Sequence, residues 1–230
     1  MISLLTPTRN RPDNVRRMMG SAMATATGPL QFVFYVDDDA PESFPDRIPF
    51  PSGVQAFRYT TYVVDGPRII LSEMWNRCYE AATYDILMHC GDDIVFETPG
   101  WDKIVLDAFA EYPDHIALVH GTDSDTNFGT FATHGFIHRR WVETVGYFVP
   151  PYFSSDWNDA WLNDVANRIN RRRYVPIMTR HHHPVAGLAE WDQTHRDRLQ
   201  RHAIDDCDSI YHSKVYERIN DAAKLKAVMS

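Results

Sequence analysis

The run ISLLTPTRNRPDNVRRMMGSAMATATGPLQFVFYVDDDAP, Ile2 to Pro41, decides the fold. Ile2 to Leu5 is a short apolar run of the kind that forms a buried strand, and Thr6 to Pro12 breaks it. Asp13 or Asn14 can cap a helix that continues to about Ala24, with Val15, Met18, Met19 and Ala22 along one face. Gly28-Pro29 punctuates the chain, and Leu30 to Val36 is a second apolar strand that ends on Asp37, Asp38 and Asp39. Strand, helix and strand in that order, with acids at the second strand's carboxyl end, open an α/β sheet, in which ligands bind just outside the strand ends.

Outward from there, residues 41–53 are proline-rich and read as an irregular loop, and residues 55–64 suit a short strand. Gly66-Pro67-Arg68 leads into a helix over Ile69 to Ala82, with Leu71, Met74, Trp75 and Cys78 on its apolar side. The stretch YDILMHCGDDIVFETPGW, Tyr84 to Trp101, then places Gly91, Asp92 and Asp93 between two apolar runs. Unpaired acids are costly to bury, and glycine lets the backbone turn and a ligand approach. Such a strand end suits a hard divalent cation held by oxygen ligands, with phosphates completing its coordination. A turn whose acids face water fits the same residues.

Beyond Trp101 the pattern gives a helix to about Tyr112, a strand over Ile116 to His120, a β-like stretch over Phe131 to Ile137 and a short helix over Arg139 to Val145. Ser154 or Ser155 can cap a helix over Asp156 to Arg168, and Tyr174 to Met178 is a last strand leading to His181-His182-His183-Pro184. From Trp191 onward the chain is polar and helical, with Leu199, Ala203 and Ile204 on one face. That tail is free to pack on the domain, cover the site or mediate self-association.

At 230 residues one domain is expected, and a composition of 44% hydrophobic and 23% charged residues is that of an ordinary soluble protein. The net charge of −8 argues against broad charge-driven nucleic-acid binding, although Arg171-Arg172-Arg173 is a local basic candidate. Cys78, Cys90 and Cys207 are odd in number and widely spaced, which suggests neither a disulfide framework nor a zinc site and fits the cytoplasm. No signal-peptide pattern and no apolar run of bilayer length is evident.

The order of four pieces resembles the GT-A glycosyltransferases, particularly the inverting family 2 and its bacterial and phage relatives, over about residues 2–187. The pieces are TPTRNRP (Thr6 to Pro12), VDDDAP (Val36 to Pro41), GDD (Gly91 to Asp93) and SSDWND (Ser154 to Asp159). The resemblance implies a GT-A (Rossmann-like) α/β/α sandwich with a mostly parallel central sheet and a helical C-terminal tail. It divides the chain into a catalytic domain over 1–187 and a helical extension over 188–230. Within the domain, about 1–95 would form the nucleotide-sugar half and about 96–187 the acceptor half.

By the same resemblance Thr6, Pro7, Thr8 and Arg9 lie against the donor's base and ribose. Asp38, with Asp37 as the second choice, accepts from the base imide, while Arg68 and Asn76 lie near the donor. Asp92 aligns with the metal-binding acid and Asp93 assists it. Cys90 replaces the usual first acid of that motif, and Asp39-Ala40 stands where glycine and serine are usual. His181 or His183 supplies a late histidine to the cation, and imidazole favours Mn2+ over Mg2+; His120 and His134 are unassigned candidates near strand ends. Asp156 is the expected catalytic base, with Asp159 three positions on along the same predicted helix face as the second choice.

The implied activity is metal-dependent transfer of a sugar from a nucleoside-diphosphate sugar, a UDP-sugar foremost, to an acceptor hydroxyl with inversion. The acceptor, whether glycan, protein, lipid-linked sugar or modified base, stays open, as does self-association through the C-terminal helices. A catalytically silent nucleotide- or sugar-binding module and a sugar nucleotidyltransferase are the alternatives. The second would carry glycines in its phosphate loop, which TPTRNRP lacks.

Overall fold

The apolar runs become strands whose side chains alternate between the two faces of one sheet. In the computed structural model, which describes residues 1–44, 58–124 and 129–230, β1 spans Ile2–Thr8, α1 Pro12–Thr25, β2 Leu30–Asp37 and β3 Tyr59–Gly66. There follow α2 (Leu71–Ala81), β4 (Ile86–His89), β5 (Ile94–Phe96), α3 (Trp101–Ala110), β6 (Leu118–Thr122) and β7 (Gly135–His138). The chain continues through α4 (Arg139–Val145), α5 (Asn158–Arg168) and β8 (Arg172–His181), and ends in α6 (Gln193–Ile204), α7 (Cys207–Ser213) and α8 (Val215–Val228).

The strand order is β3-β2-β1-β4-β7-β6-β8-β5. Parallel pairing joins β3, β2, β1 and β4, and joins β6 to β8; β7 runs antiparallel to β4 and β6, and β5 antiparallel to β8. Period-two alternation sends Ile2, Leu4, Phe32, Phe34, Ile86 and Met88 to one face, where they meet the apolar stripes of α1 and α3. Leu5, Val33, Tyr35 and Leu87 face the other side, against α2, α4 and α5. Central parallel strands covered on both faces must be apolar throughout, which is why every residue of β2 is buried. The architecture is therefore an α/β/α sandwich with a mixed, largely parallel sheet.

Several element boundaries depart from expectation. Helix α1 starts at Pro12 with Arg11 as its N-cap, so neither Asp13 nor Asn14 caps it. Proline is tolerated there because the first turn has no partner for its missing N–H. Helix α5 starts at Asn158, and its N-cap, Trp157, has a left-handed φ of 75°. Asp156 thus lies before the helix and does not share a helical face with Asp159; Ser154 and Ser155 are buried and are not its caps. The expected strand over 55–64 is realised as β3, with residues 55–57 outside the described residues, as is most of the 41–53 loop. Strand β8 is longer than expected and carries the chain into His181.

The C-terminal helices fold back onto the sandwich. Helix α8 buries Ala222 and Leu225 against the α4–α5 side. The buried Asp221 carboxylate accepts from Trp161 Nε1 at 3.1 Å and from the Tyr147 hydroxyl. Arg218 donates to Asp164 at 2.6 Å and lies 3.9 Å over the Tyr211 ring. Helix α6 is held differently: the expected apolar face is not buried, since Leu199 and Ile204 are exposed. Polar contacts dock it instead, Thr194 Oγ1 on the Arg9 carbonyl at 2.9 Å and Arg198 on Asp156 at 2.8 Å among them. All three cysteines are free and buried. Among the described residues no helix is long and apolar enough to cross a membrane.

Candidate active site

Strand β1 has β2 on one side and β4 on the other, so the connections leaving their carboxyl ends diverge and open a crevice. A cavity of about 250 Å³ occupies it, lined by Pro7 and Thr8 from β1, Asp37 from β2, His89 from β4 and the Gly91–Asp93 turn. Helix α6 and the start of α5 form the opposite wall through Arg198, Arg201, Asp156 and Asp159.

The β1–α1 loop is fixed by acids from neighbouring strands. Arg9 donates to the buried Asp37 at 2.7 Å and engages Asp39 through both terminal nitrogens. Burial raises the Asp37 carboxyl, and Arg9 opposes that rise. Thr8 Oγ1 donates to Asp92 at 2.8 Å, and Arg11 Nη1 reaches the other Asp92 oxygen at 3.2 Å. Arg11 then spans to Asp192, just before α6, at 2.7 and 2.8 Å. Asp92 is thereby committed to the loop: burial raises its carboxyl and Arg11 pulls against that.

Metal-ligating atoms collect instead around its neighbour. Asp93, His134 and His181 each present one donor atom within 4.8 Å of the others. Two registers bring them together. The β5–β8 pairing sets Ile94 against His181, which puts the imidazole Nε2 3.2 Å from Asp93 Oδ1. The β4–β7 pairing, Met88 against Phe136, delivers His134 beside the Gly91 turn. A Cβ at Gly91 would sit 2.8 Å from Asp93 Oδ1 and 3.1 Å from His134 Cε1, so only glycine leaves room for both side chains.

Electrostatics and satisfaction point the same way. Burial alone would raise Asp93, yet the hydrogen bond from His181 holds it below the ordinary carboxylate range. His134 is buried, and neither ring nitrogen has a hydrogen-bond partner. A buried imidazole with both nitrogens unsatisfied is costly, and a cation bound to one of them would relieve that cost. Donor set, cradle and orphaned imidazole all fit a divalent cation.

The two candidate bases occupy different environments. Asp156 is bound by Arg198 at 2.8 Å and lies 2.8 Å from His202 Nδ1. Asp159 accepts from the Ala160 N–H at 2.7 Å and, among the described residues, has no cationic partner. Burial pushes its carboxyl up to about 6. One turn later Asn163 clamps the Ala132 backbone through two bonds of 3.0 Å, tying α5 to the segment that carries His134.

The remaining expected residues divide. Pro7, Arg68 and His183 line the cavity, Arg68 paired with Asp197 at 2.9 Å. Thr6 is buried within β1, and Asp38 is exposed at the end of β2 with its N–H on the Gly66 carbonyl; neither lines the cavity. Asn76 is likewise outside the lining, holding the Phe148–Val149 backbone through its side-chain amide. His120 sits in β6 against its neighbour's carbonyl, and Arg171 and Arg173 pair with Asp114 and Glu111 outside the cavity. Cys90, where the resemblance expects an acid, turns into the core, and burial pushes its thiol up to about 12. Arg11, Arg198 and Arg201 line the site without having been singled out as site residues. Arg198 and Arg201 stand three apart on one polar helix, a spacing that marks a shared face but not what the face meets.

Solved structures share this arrangement. A mannosyltransferase from Pyrobaculum calidifontis, in complex with GDP-Man and Mn2+, superposes with a TM-score of 0.59 over 99% of this chain and 73% of its own, at 13% identity. S. aureus TarS 1-349 in complex with UDP-GlcNAc gives 0.56 over 89% of this chain and 66% of its own, at 10% identity. The fold is that of the GT-A glycosyltransferases. Within this GT-A sheet, the cavity lies at the carboxyl ends of the strands that open the chain. No protein-family model matches the sequence, and neither does any curated protein.

Proposed function

We propose that the protein is a glycosyltransferase that uses a nucleoside-diphosphate sugar and a divalent cation and inverts the anomeric centre. The observation that carries this reading is the meeting of Asp93, His134 and His181 with the unpaired Asp159 in one cavity of a GT-A fold. The mannosyltransferase with GDP-Man and Mn2+ and TarS with UDP-GlcNAc support the donor class.

The Arg9–Asp37 pair borders the nucleoside subsite, where a carboxylate accepts the base's imide N–H without offering a competing donor. We take a UDP-sugar as the first donor and a GDP-sugar as the second. Asp93, His134 and His181 would hold the cation, and two imidazoles with one carboxylate favour Mn2+ over Mg2+. A cation held by these three residues would supply positive charge against the departing diphosphate. Asp159 takes the acceptor's proton as the acceptor oxygen bonds to the anomeric carbon and the bond to the diphosphate oxygen breaks. Asp156, held by Arg198, anchors α6.

Release of UDP or GDP from UDP-GlcNAc, UDP-glucose and GDP-mannose, followed with Mn2+, tests the proposal. Wild type should release nucleotide from at least one donor. Asp159→Asn should bind that donor but turn over roughly 100-fold or more slowly, the range for loss of a general base. Binding without release would make the chain a silent sugar-nucleotide module and overturn the catalytic reading. The anomeric configuration of the first-formed sugar, read by NMR, tests inversion.

A further inference from the structure

Five arginines line the cavity, Arg9, Arg11, Arg68, Arg198 and Arg201. Four are matched by carboxylates: Arg9 by Asp37 and Asp39, Arg11 by Asp92 and Asp192, Arg68 by Asp197, Arg198 by Asp156. Arg201 has no carboxylate partner among the described residues; its guanidinium donates only to the Ile69 carbonyl, at 2.7 Å. Four of its five N–H groups are left for something else.

We infer that Arg201, carried by α6 beyond the four sequence motifs that carry the resemblance, receives a phosphate of the donor nucleotide. The inference rests on the proposed use of a nucleoside-diphosphate sugar. A half-buried cation that forms no ion pair is costly, and here the cost is raised by a second guanidinium, Arg68. Burial and then Arg68 lower the pKa of Arg201, and the carboxylates of Asp37 and Asp205, neither within ion-pair distance, offset that only in part. The Arg68 partner, Asp197, sits one turn before Arg201 on α6, so both guanidinium groups border the same opening. A planar fork beside a second cation matches the charge and oxygen spacing of a phosphate. The helix is already in position: Thr194 bonds the Arg9 carbonyl, and Ser154 Oγ reaches the Arg201 carbonyl at 3.4 Å. Little ordering is then left for the moment of binding.

The test compares full-length wild type, Arg201→Gln and Arg196→Gln in equilibrium titrations with UDP, GDP, uridine and guanosine. Arg196 is an exposed residue of the same helix outside the cavity. Arg201→Gln should weaken the better diphosphate roughly 10- to 100-fold, the range for a charge-assisted hydrogen bond. Its nucleoside should bind within about twofold of wild type, and Arg196→Gln should match wild type throughout. The diphosphate affinity of Arg201→Gln should also fall less steeply with added salt. An unchanged diphosphate affinity, or an equal loss of diphosphate and nucleoside, overturns the inference, the second outcome meaning that Arg201 only places the helix. If wild type binds neither diphosphate, the donor reading itself fails. Should Arg201→Gln not fold, phenylglyoxal labelling of wild-type Arg201, mapped by mass spectrometry, decides: UDP or GDP should protect it and the nucleosides should not, and equal labelling would overturn the inference.

Discussion

His181 and His183 point to the cavity while His182, between them, does not, because a strand end turns alternate side chains to opposite faces. Run composition shows three histidines; only the register against β5 says which one meets Asp93. His181→Ala and His134→Ala should therefore each weaken Mn2+ binding by more than the roughly 10- to 100-fold that loss of an outer-shell partner costs, while His182→Ala leaves it unchanged. Loss of the free-Mn2+ electron paramagnetic resonance signal on titration measures this, and equal effects at His181 and His182 would refute the ligand assignment. Asp159 gives a pH prediction. Its carboxyl is raised to about 6, so it is protonated over more of the acid range than an ordinary aspartate. A base must be ionised; kcat/KM should be level above that value and fall as pH drops through it. A profile flat down to pH 5 would remove Asp159 from the role. The proposed metal-ligand cluster is only partly legible at this scale: Gly91-Asp92-Asp93 announces itself, but nothing near His134 in sequence distinguishes it from His120.

Strands and core helices were legible because their signal is local. The short, aromatic and β-branched run LQFVFYV reads as a strand buried on both faces, and Val15, Met18, Met19 and Ala22 read as one stripe of a helix. The start of α5 was not, because SSDWND reads as a capped helix start while Trp157 adopts a left-handed φ and delays the helix to Asn158. Helix α6 was hidden for another reason. Its partners, Arg9, Arg11, Arg68 and Asp156, lie far away in the chain, and a polar helix docked by ion pairs shows no apolar period. Helix α8 does pack by its apolar face. Truncating fully buried Leu225 to Ala should cost about 2–5 kcal/mol in denaturant unfolding. Truncating exposed Leu199 should cost under about 0.5 kcal/mol. Equal losses would contradict the two modes of docking.

Across the whole molecule, one topological fact organises the site. The chain lays β1, β2 and β3 outward in one direction and then returns to place β4 on the other side of β1. The crevice this leaves receives the β1–α1 loop, the Asp92-Asp93 turn and, from the far edge of the sheet, the end of β8. Helix α6 then closes the opposite wall, so the proposed cation site, the proposed base and Arg201 come from segments spread over most of the chain. Diffraction at the manganese edge, from crystals grown with Mn2+ and UDP or GDP, tests this most directly. One anomalous peak should lie between Asp93, His134 and His181, with the nucleotide's phosphates against it and Arg201. A peak elsewhere, or a nucleotide bound outside this cavity, would contradict the account.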